Sequence, residues 1–550
     1  MGRPFSASRL VFYVAALILC GVTTLVYKPV SHGGFIWDDD SYVTNNLLLT
    51  APDGLRRIWF TLDAPSQYFP LSYSLLRVER LLWDLNSTGY HWVNILLHVA
   101  NALLVWRVLA RLDVPGSWLA ASIFALHPIQ VESVAWISEV KNLLMGFFFL
   151  LTLVTWVQYL DRRDQLRPLL YIVALVFYFL ALAAKSTACT LPAALILILW
   201  WKKKPIDRQA IVELVPFLVL ALSAGLIAVW WEKYHQGARV LVPLAPLERI
   251  LIASRAFWFY LSKIFWPSDL TFIYPQWKID PSDVTGYCWL AATVPLIVLI
   301  YFARRSFGRA IEVALLFFVA TLAPLLGFIM LYTFRYTFVA DHYQYLACIG
   351  PIALVSGGFI NLIDKVGIAR WMAWAGAFAV IACLSVLTFR QSATYRDLET
   401  LWRSTIAKDP GSWMAYNNLG VVEFEKGNID DAISKYERSL ELHPDYPEAL
   451  YNLGSALLQK GRTEEAIKLC EKALKLQPGD VDAHVVLGNA LMVKQDVDGA
   501  ISHYRAALTL RPDDANAHHN LGVALQQQGK SEEAAREFEK AGDSIPKGNP

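Results

Sequence analysis

The sequence predicts an all-α protein in two parts, a bundle of membrane-spanning helices followed by a water-soluble solenoid of helix pairs. Three observations support this fold class. Of the 550 residues, 55% are hydrophobic and 17% are charged, whereas soluble globular proteins carry about 25% charged residues. The apolar excess is confined to residues 1–390, where long apolar runs alternate with short charged loops. The residues that follow are polar and repeat with a period of 34.

The apolar part contains eleven candidate spans, since about 20 apolar residues are needed to cross a bilayer. The third and sixth are short and are interrupted near Pro128 and Pro192, so we expect kinked or broken helices there. Residues 249–266 carry Arg255 and Lys263 and are expected to form an amphipathic or re-entrant helix on the outer side. The eleven spans begin near Leu10, His91, Gly116, Asn142, Pro168, Ala188, Ile211, Gly286, Ala310, Gln344 and Trp371.

Loop charge predicts the orientation of these spans, because cytoplasmic loops are enriched in Lys and Arg. Basic residues cluster in loops that alternate along the chain, at 3–9, 107–111, 162–167, 202–208, 304–309 and 365–370. The pattern favours a cytoplasmic N-terminus, and no small-residue cleavage site follows the first span, which we interpret as a signal anchor. Eleven spans then place the solenoid outside the cytoplasm. We expect a bacterial inner membrane with a periplasmic solenoid, or an endoplasmic reticulum membrane with a luminal one.

The C-terminal part repeats the same residue types at three positions. Small residues at the glycine and alanine positions allow two antiparallel helices to approach closely, and the proline ends the second helix. This pattern is typical of tetratricopeptide repeats (TPRs). It predicts four repeats, at 411–444, 445–478, 479–512 and 513–546, after a linker and helix at 391–410. The repeated residues are Pro410, Pro444, Pro478, Pro512 and Pro546; Gly420, Gly454, Gly488 and Gly522; and Ala432, Ala466, Ala500 and Ala534.

One asparagine position recurs in the first helix of the repeats. It is occupied by Asn418, Asn452 and Asn520, whereas the third repeat has Val486 there. A ladder of amides would hydrogen-bond a polypeptide backbone without reading its sequence, so these residues are candidates for peptide binding. The alternative is that the amides satisfy contacts within the solenoid.

Several classes of function find no support in the sequence. The net charge of +2 gives no nucleic-acid signal. The six cysteines lack metal-ligand spacing and are interpreted as packing residues, so no metal ligand is predicted. No Walker loop, GxSxG or HExxH motif occurs, so nucleotide-binding and hydrolase functions are not supported. Chemistry is therefore to be sought among the polar residues of the membrane part.

The first outer loop, residues 28–90, opens with an acidic cluster. In FIWDDDSYVTNN, three carboxylates are adjacent: Asp38, Asp39 and Asp40. Because adjacent carboxylates repel one another, at least one is expected to have a raised pKa, which suits a general base. The alternative is a solvated acidic turn.

The second span carries a polar stripe. His91, Asn94, His98 and Asn101 are spaced three, four and three residues apart and therefore lie on one helix face. Polar groups within a membrane are costly and face a cavity or another helix. We expect this stripe to line a cavity, with interhelical hydrogen bonding as the alternative.

Other polar residues are predicted to lie at the same membrane level. They come from HPIQVESVAWISEVKN, from AAKSTA and from the penultimate outer loop. A site for a phosphorylated lipid would need such a mixture, with cations for the phosphate and a carboxylate for a hydroxyl acceptor. These residues are His127, Glu132, Glu139, Lys141, Lys185, Arg335, Asp341 and His342.

With these residues in place, the sequence resembles the transmembrane-and-TPR O-mannosyltransferase family, especially its bacterial members. The matching stretches lie in the family's order within residues 35–350, and the repeats follow where the family has them. They are FIWDDDSYVTNN, GYHWVNILLHVANALL, FALHPIQVESVAWISEVKNLL, AAKSTACTLP, LSKIFWPSDLTFIYP and VADHYQYLACIG.

The resemblance implies a membrane glycosyltransferase of the GT-C type that inverts the anomeric carbon. Its donor substrate would be a polyprenyl-phosphate sugar, a membrane lipid, with no other cofactor. The family's catalytic aspartate pair matches Asp38 and Asp39, with Asp40 extra. Its His–Pro…Glu motif matches His127, Pro128 and Glu132.

The sequence departs from the family at two cationic positions. The Glu–Arg–Lys segment reads Glu139, Val140 and Lys141, and the Asp–Arg–Tyr segment reads Asp341, His342 and Tyr343. We expect Lys141, Arg335 and His342 to bind the donor phosphate in place of the missing arginines. The predicted cavity is lined by His91, Asn94, His98, His127, Glu132 and Asp341.

The sequence therefore favours a polyprenyl-phosphate-sugar-dependent protein O-glycosyltransferase whose TPRs present acceptor polypeptides. Asp39 is the first choice for the base and Asp38 the second. One alternative is a non-catalytic, membrane-anchored TPR scaffold for envelope protein assembly. Another, a transporter or flippase, is disfavoured because the two halves of the membrane part show no inverted repeat.

Overall fold

The computed structural model describes residues 7–62, 67–234, 244–329, 332–366 and 369–542. These residues form helices and turns, with no strand among them, so the predicted all-α class is confirmed. The chain divides into two compact units, Met1–Leu401 and Trp402–Pro550. The first contains the apolar helices and the second contains the repeats.

The membrane unit contains fifteen described α-helices and the beginning of a sixteenth. Shorter 3-10 or π turns connect several of them and carry most of the candidate site residues. The helices are α1 (Ala7–Val26), α2 (Gly54–Phe60), α3 (Pro70–Trp83), α4 (Ser87–Arg111), α5 (Ser117–Leu126), α6 (Val131–Ala135), α7 (Val140–Asp161), α8 (Arg167–Ala184), α9 (Leu191–Trp201), α10 (Arg208–Tyr234), α11 (Pro246–Phe265), α12 (Cys288–Phe307), α13 (Ala310–Leu322), α14 (Ile349–Val366), α15 (Arg370–Ala393) and α16 (Leu398–Lys408).

Seven helical segments in the described residues are long and apolar enough to cross a membrane, which fits a multi-pass membrane protein. Four shorter apolar helices coincide with the other predicted spans: Leu10–Val26, Ser117–Leu126, Ser186–Trp201 and Ala310–Leu325. The seven are Ser87–Arg111, Ile137–Asp161, Arg167–Ala184, Arg208–Tyr234, Val284–Arg305, Ile349–Val366 and Trp371–Ala393. The count of eleven spans and their orientation remain predictions.

Local sequence explains where the short helices break. Pro128 follows α5 directly after His127, whose extended backbone is the conformation that a residue before proline prefers. The chain then makes a 3-10 turn (Pro128–Gln130), the short helix α6 and a second 3-10 turn (Ile137–Glu139) before α7 begins. Pro192 instead occupies the first turn of α9, where its missing N–H is tolerated. Both prolines therefore mark helix boundaries, and the first break carries site residues.

Helix α11 coincides with the segment that the sequence predicts to be amphipathic. Ile252, Ala256, Tyr260 and Ile264 are buried, are spaced by four residues and lie on one face. Residues 251–254 are all buried as well, so α11 is surrounded on most sides near its start and packs along one face beyond it. Arg255 lies 4.4 Å from the centroid of the Trp277 ring.

The second unit is a series of helix pairs. Gly420 shows why small residues recur, because a Cβ atom there would lie 2.6 Å from the Tyr436 ring on the paired helix. At Gly454 the obstacle would be the Cys470 sulfur, at 2.9 Å. Pro546 lies outside the described residues. The helices are α17 (Trp413–Glu425), α18 (Ile429–Leu442), α19 (Pro447–Gln459), α20 (Thr463–Leu476), α21 (Val481–Val493), α22 (Val497–Leu510), α23 (Ala515–Gln527) and α24 (Ser531–Lys540).

Candidate functional site

The three adjacent aspartates occupy three different environments. Asp39 is fully buried, and its two carboxylate oxygens accept the backbone N–H groups of Ile36 and Ser138, both at 2.8 Å. Asp38 is half-buried, and its Oδ1 accepts the Ser138 hydroxyl at 2.8 Å. Asp40 is exposed and accepts a hydrogen bond from Thr44. Of the three side chains, Asp38 and Asp39 are therefore the two held in place by hydrogen bonds to Ser138, in a distant segment of the chain.

A strained residue precedes these aspartates. Trp37 has a φ of 49°, in the left-handed region that a bulky residue adopts at a cost of about 1–2 kcal/mol. Its ring meets the edges of Phe272 and Tyr336, with centroids 6.1 and 6.5 Å away. These ring contacts stabilise the turn at Trp37. The two side chains that follow the turn, Asp38 and Asp39, both bond to Ser138.

That partner, Ser138, lies in the turn Ile137–Glu139 immediately before α7. Its hydroxyl bonds to Asp38 and its amide bonds to Asp39, so one residue fixes both carboxylates. Sequence reasoning missed Ser138, because a serine near a helix start usually indicates a helix cap. Its position in the same stretch as Glu132 and Lys141 was the available signal.

Two lysines share one buried carboxylate beside these aspartates. Lys141 Nζ lies 2.9 Å from Glu139 Oε1, and Lys185 Nζ lies 3.1 Å from Glu139 Oε2. The Lys141 ammonium also lies 4.3 Å from the Tyr42 ring centroid and 5.4 Å from that of Trp136. All three charged side chains are at most 10% exposed. Buried charges at this density are costly, which makes the cluster a candidate for function.

His342 joins the cluster from the turn Asp341–Gln344. Its Nδ1 lies 3.0 Å from Glu132 Oε1, and its backbone N–H donates to Glu132 Oε2 at 2.9 Å. Asn142 donates to the His342 carbonyl at 2.7 Å. Asp341 is buried and accepts the Tyr274 hydroxyl at 3.0 Å. Segments about 200 residues apart in sequence thus meet here, as the sequence led us to expect.

The electrostatics of the two aspartates differ. Burial raises the pKa of Asp38 above its ordinary value, while Lys141 and the Ser138 hydroxyl lower it. Burial and the neighbouring Asp38 raise the pKa of Asp39 to about 8. At neutral pH, Asp38 is therefore the better placed of the two to carry a negative charge.

The remaining predicted residues are more distant or structural. Arg335 lies 5.8 Å from the Tyr336 ring centroid, and Tyr336 contacts Trp37, so this cation connects to the site through two aromatic rings. The Nε2–H of His127 donates to the Ile264 carbonyl at 2.9 Å, and its Nδ1 accepts the Ile129 N–H. His127 thus ties α11 to the break after α5.

The polar stripe on α4 is buried and paired with neighbouring segments. The Nε2–H of His91 donates to Gly33 O at 3.2 Å, and Asn94 donates to Trp136 O at 3.0 Å. His98 bonds to Ala125 O and the Tyr345 hydroxyl, at 3.0 and 2.9 Å, and Asn101 donates to Leu143 O at 2.9 Å. The structure supports interhelical bonding, which was the alternative interpretation of this stripe.

The asparagines of the repeats also have partners within the solenoid. Asn418 donates to Met414 O in its own helix at 2.8 Å. Asn452 donates to Asn417 at 3.1 Å, and Asn520 donates to Asn489 at 3.0 Å, each across a repeat boundary. These bonds favour the reading in which the amides hold the repeats together.

Family models match the C-terminal part of the chain. Family models described as tetratricopeptide repeat match residues 395–447, 423–481 and 515–546, and one described as TPR repeat matches 488–529. Among solved structures, MamA is 26% identical and covers 26% of this chain and 84% of its own, with a TM-score of 0.24.

The curated relatives cover the membrane unit as well. The chain is 23% identical to the Caenorhabditis elegans protein O-mannosyl-transferase F38B6.6, over 78% of this chain and 63% of that protein. It is 24% identical to the human protein O-mannosyl-transferase TMTC1, over 79% of this chain and 56% of that protein. The chain thus spans between half and two thirds of the length of these relatives. Its homologues are protein O-mannosyl-transferases, which confirms the resemblance drawn from the motifs.

Proposed function

We propose that this chain is a protein O-glycosyltransferase that uses a polyprenyl-phosphate sugar, similar to the O-mannosyltransferases among its homologues and of the GT-C type. One observation carries the proposal. A half-buried aspartate, Asp38, is oriented by Ser138 beside a buried cluster that holds two lysines. Transfer of a sugar from a lipid phosphate to a hydroxyl needs this pairing of a base with cations.

The reaction would be an in-line displacement. The oxygen of an acceptor Ser or Thr forms a bond to the anomeric carbon while the bond from that carbon to the phosphate oxygen breaks. Asp38 takes the hydroxyl proton, and the lipid phosphate leaves with the electron pair. Lys141, Lys185 and His342 would stabilise the charge on the departing phosphate. Attack opposite the leaving group inverts the anomeric carbon.

The structure supports Asp38 over Asp39 as the base, which reverses the order expected from the sequence. Both oxygens of Asp39 are occupied by backbone N–H groups, and its side chain has no exposed surface. Because the side chain is fully buried, an acceptor hydroxyl could reach it only if the surrounding turns moved apart. The Asp38 carboxylate accepts the Ser138 hydroxyl and is partly accessible. Asp39 is therefore proposed to be a positioning residue that docks the first outer loop onto α7.

Lys185 offers a physical reason why the missing family arginine need not abolish phosphate binding. Val140 replaces that arginine, but Lys185 reaches the same carboxylate as Lys141 from the end of α8. Two lysines against Glu139 leave one positive charge in excess. We propose Lys185 as a donor-phosphate residue together with Lys141 and His342, with Arg335 nearer the edge of the site.

The TPR solenoid is proposed to bind polypeptide acceptors or partners. The repeats themselves support this role, since TPR surfaces commonly bind extended peptides. Peptide binding by Asn418, Asn452 and Asn520 would require their present intramolecular bonds to be exchanged. We further propose that the N-terminus is cytoplasmic, with the site and the solenoid on the opposite side of a bacterial inner membrane or the endoplasmic reticulum membrane.

The test is transfer of sugar from a labelled polyprenyl-phosphate sugar to protein, in membranes containing each variant at matched abundance. Asp38→Asn should lower turnover by roughly 10²–10⁴-fold, because one general base is removed while size and polarity are kept. Asp40→Asn is the matched control and should retain activity. Equal transfer by Asp38→Asn and the unmodified chain would exclude this mechanism. Absence of transfer by the unmodified chain with any donor would instead favour the membrane-anchored scaffold.

A further inference from the structure

A second feature of the membrane unit lies away from the charged cluster. A cavity of about 690 Å³ is enclosed by residues of α4, α7, α9, α13 and α14 and of the loop between α4 and α5. Its walls are aliphatic and aromatic, for example Val108, Leu153, Ile198 and Phe317. Ligand-binding sites in proteins commonly have this volume and walls that are mostly apolar.

Polar groups are concentrated at one end of this cavity. Asn361 and Lys365 lie four residues apart on α14, so they share one face, and both are exposed. The third lining residue with a polar atom, Trp201, is already satisfied, because its indole N–H donates to Leu112 O at 2.8 Å. The cavity therefore has an apolar body and a single cationic rim.

The cationic rim lies at the opposite end of the helices from the candidate site. Helices α4, α7 and α14 all begin beside site residues and run toward the rim. The lining of α14 extends from Ile349 to Lys365, a rise of about 24 Å at 1.5 Å per residue. The cavity is thus long and narrow, which suits a single hydrocarbon chain better than a compact ligand.

We propose that this cavity binds an acyl chain of an anionic phospholipid whose phosphate contacts Lys365. The lipid would enter from the leaflet at the Lys365 end. Half of the hydrocarbon core of a bilayer is roughly 15 Å thick, and an acyl chain of about that length can pack along the apolar walls of the cavity. The sugar donor is a poorer fit, because its phosphate is proposed to lie at Lys141 and Lys185, which leaves Lys365 without an anion. The inference concerns a resident lipid and does not require sugar transfer.

Gly358 provides a direct test. It lines the cavity, and a Cβ atom built there meets no other atom within 4 Å, so a larger side chain can extend without displacing backbone. Gly376 on α15 is equally unobstructed but does not line the cavity, which makes it the matched control. Lys365→Gln removes the cation at an exposed position and should not disturb folding.

The experiment uses the full chain reconstituted in vesicles with phosphatidylglycerol that carries a photoreactive group in one acyl chain. Label should map to peptides of α13 and α14. Gly358→Leu should reduce it roughly tenfold by occupying the chain's space, whereas Gly376→Leu should not. Lys365→Gln should remove the preference for phosphatidylglycerol over a photoreactive phosphatidylcholine.

Two results would overturn the proposal. One is labelling of α13 and α14 that is the same in Gly358→Leu, in Lys365→Gln and in the unmodified chain. The other is displacement of the phospholipid label by a polyprenyl phosphate, which would assign the cavity to the donor's tail. Loss of sugar transfer in the Asp38 test leaves both readouts unchanged, so the two proposals fail separately.

Discussion

Two groups of ion pairs, one in each unit of this chain, differ in how far their side chains are exposed to solvent. In the membrane unit, Glu139, Lys141 and Lys185 pair with side chains that are at most 10% exposed. In the solenoid, the Lys494–Glu464 pair has a similar separation, 3.1 Å, but its side chains are 50% and 66% exposed. Exposed pairs contribute about 0–1 kcal/mol each, whereas a buried charge without its partner is strongly destabilising. The contrast indicates that the stability of the chain depends much more on the buried carboxylate Glu139 than on the exposed carboxylate Glu464.

The contrast between the two groups is tested most directly by substituting their carboxylates, Glu139 and Glu464. Glu139→Gln removes the carboxylate that pairs with both buried lysines and should cost about 3–5 kcal/mol of stability. Glu464→Gln, in the exposed pair, should change stability by less than about 0.5 kcal/mol. Thermal unfolding of the purified full chain in detergent measures both. Similar melting temperatures for the two variants would show that the difference in burial between the two ion-pair groups does not change their contribution to stability.

A second prediction locates the stability of the solenoid in packing. Gly420→Ala would place a methyl group 2.6 Å from the Tyr436 ring and should destabilise the chain by about 1–3 kcal/mol. Gly479→Ala is the control, since its nearest contact would be Leu510 Cδ2 at an ordinary 3.9 Å. Circular dichroism during thermal unfolding distinguishes the two. Equal stability would mean that the helix pair separates without cost and that close approach does not explain the repeated glycine.

A third prediction concerns the orientation of the Asp38 carboxylate. Ser138→Ala should lower turnover roughly tenfold, about the effect of one hydrogen bond to a charged group. The Ser138 hydroxyl stabilises the carboxylate form, so its removal should raise the pKa of Asp38 further. Because the base must be deprotonated, the acidic limb of the kcat/KM profile should move to higher pH. Ser138→Thr should restore the profile, and an unmoved limb in Ser138→Ala would reject this positioning role.

The smallest expected effect is in the asparagine series. Asn452→Ala and Asn520→Ala each remove a bond to a neighbouring repeat and should cost about 0.5–1.5 kcal/mol. Asn418→Ala removes only a bond within its own helix and should cost less. Urea unfolding gives the stabilities, and peptide titration of the full chain gives the binding. Weaker peptide binding with unchanged stability would instead support the peptide ladder.

Periodic features could be predicted from the sequence alone. The 34-residue period sets which residues face each other, because each glycine must lie against the residue four after the repeated alanine. Apolar length likewise identifies the long spans, since hydrocarbon thickness fixes the number of residues. The convergence of Asp38, Lys141 and His342 was predicted because their loops were expected to lie at the same level of the membrane.

Local geometry was not predictable in the same way. Adjacent aspartates have no period to distinguish them, and their roles depend on the φ of Trp37 and on where the turn before α7 lies. For the polar stripe on α4, the sequence predicted the helix face but not the hydrogen-bond partners. The same polar side chain can bond to a buried carbonyl or to water in a cavity, so the residue type does not distinguish them. The role of Ser138 likewise depends on a contact between two segments about 100 residues apart in the sequence.

The sharing of Glu139 between two lysines has a consequence for product release. Each lysine already has an oxygen partner in Glu139, so an arriving phosphate gains only part of the attraction that bare cations would provide. After sugar transfer, the spent lipid phosphate competes for the lysines with a carboxylate that stays paired with both of them. In the proposed reaction, this favours departure of the product and resets the site for another cycle. In this proposal, the carboxylate that allows the lysines to be buried also weakens binding of the lipid phosphate product.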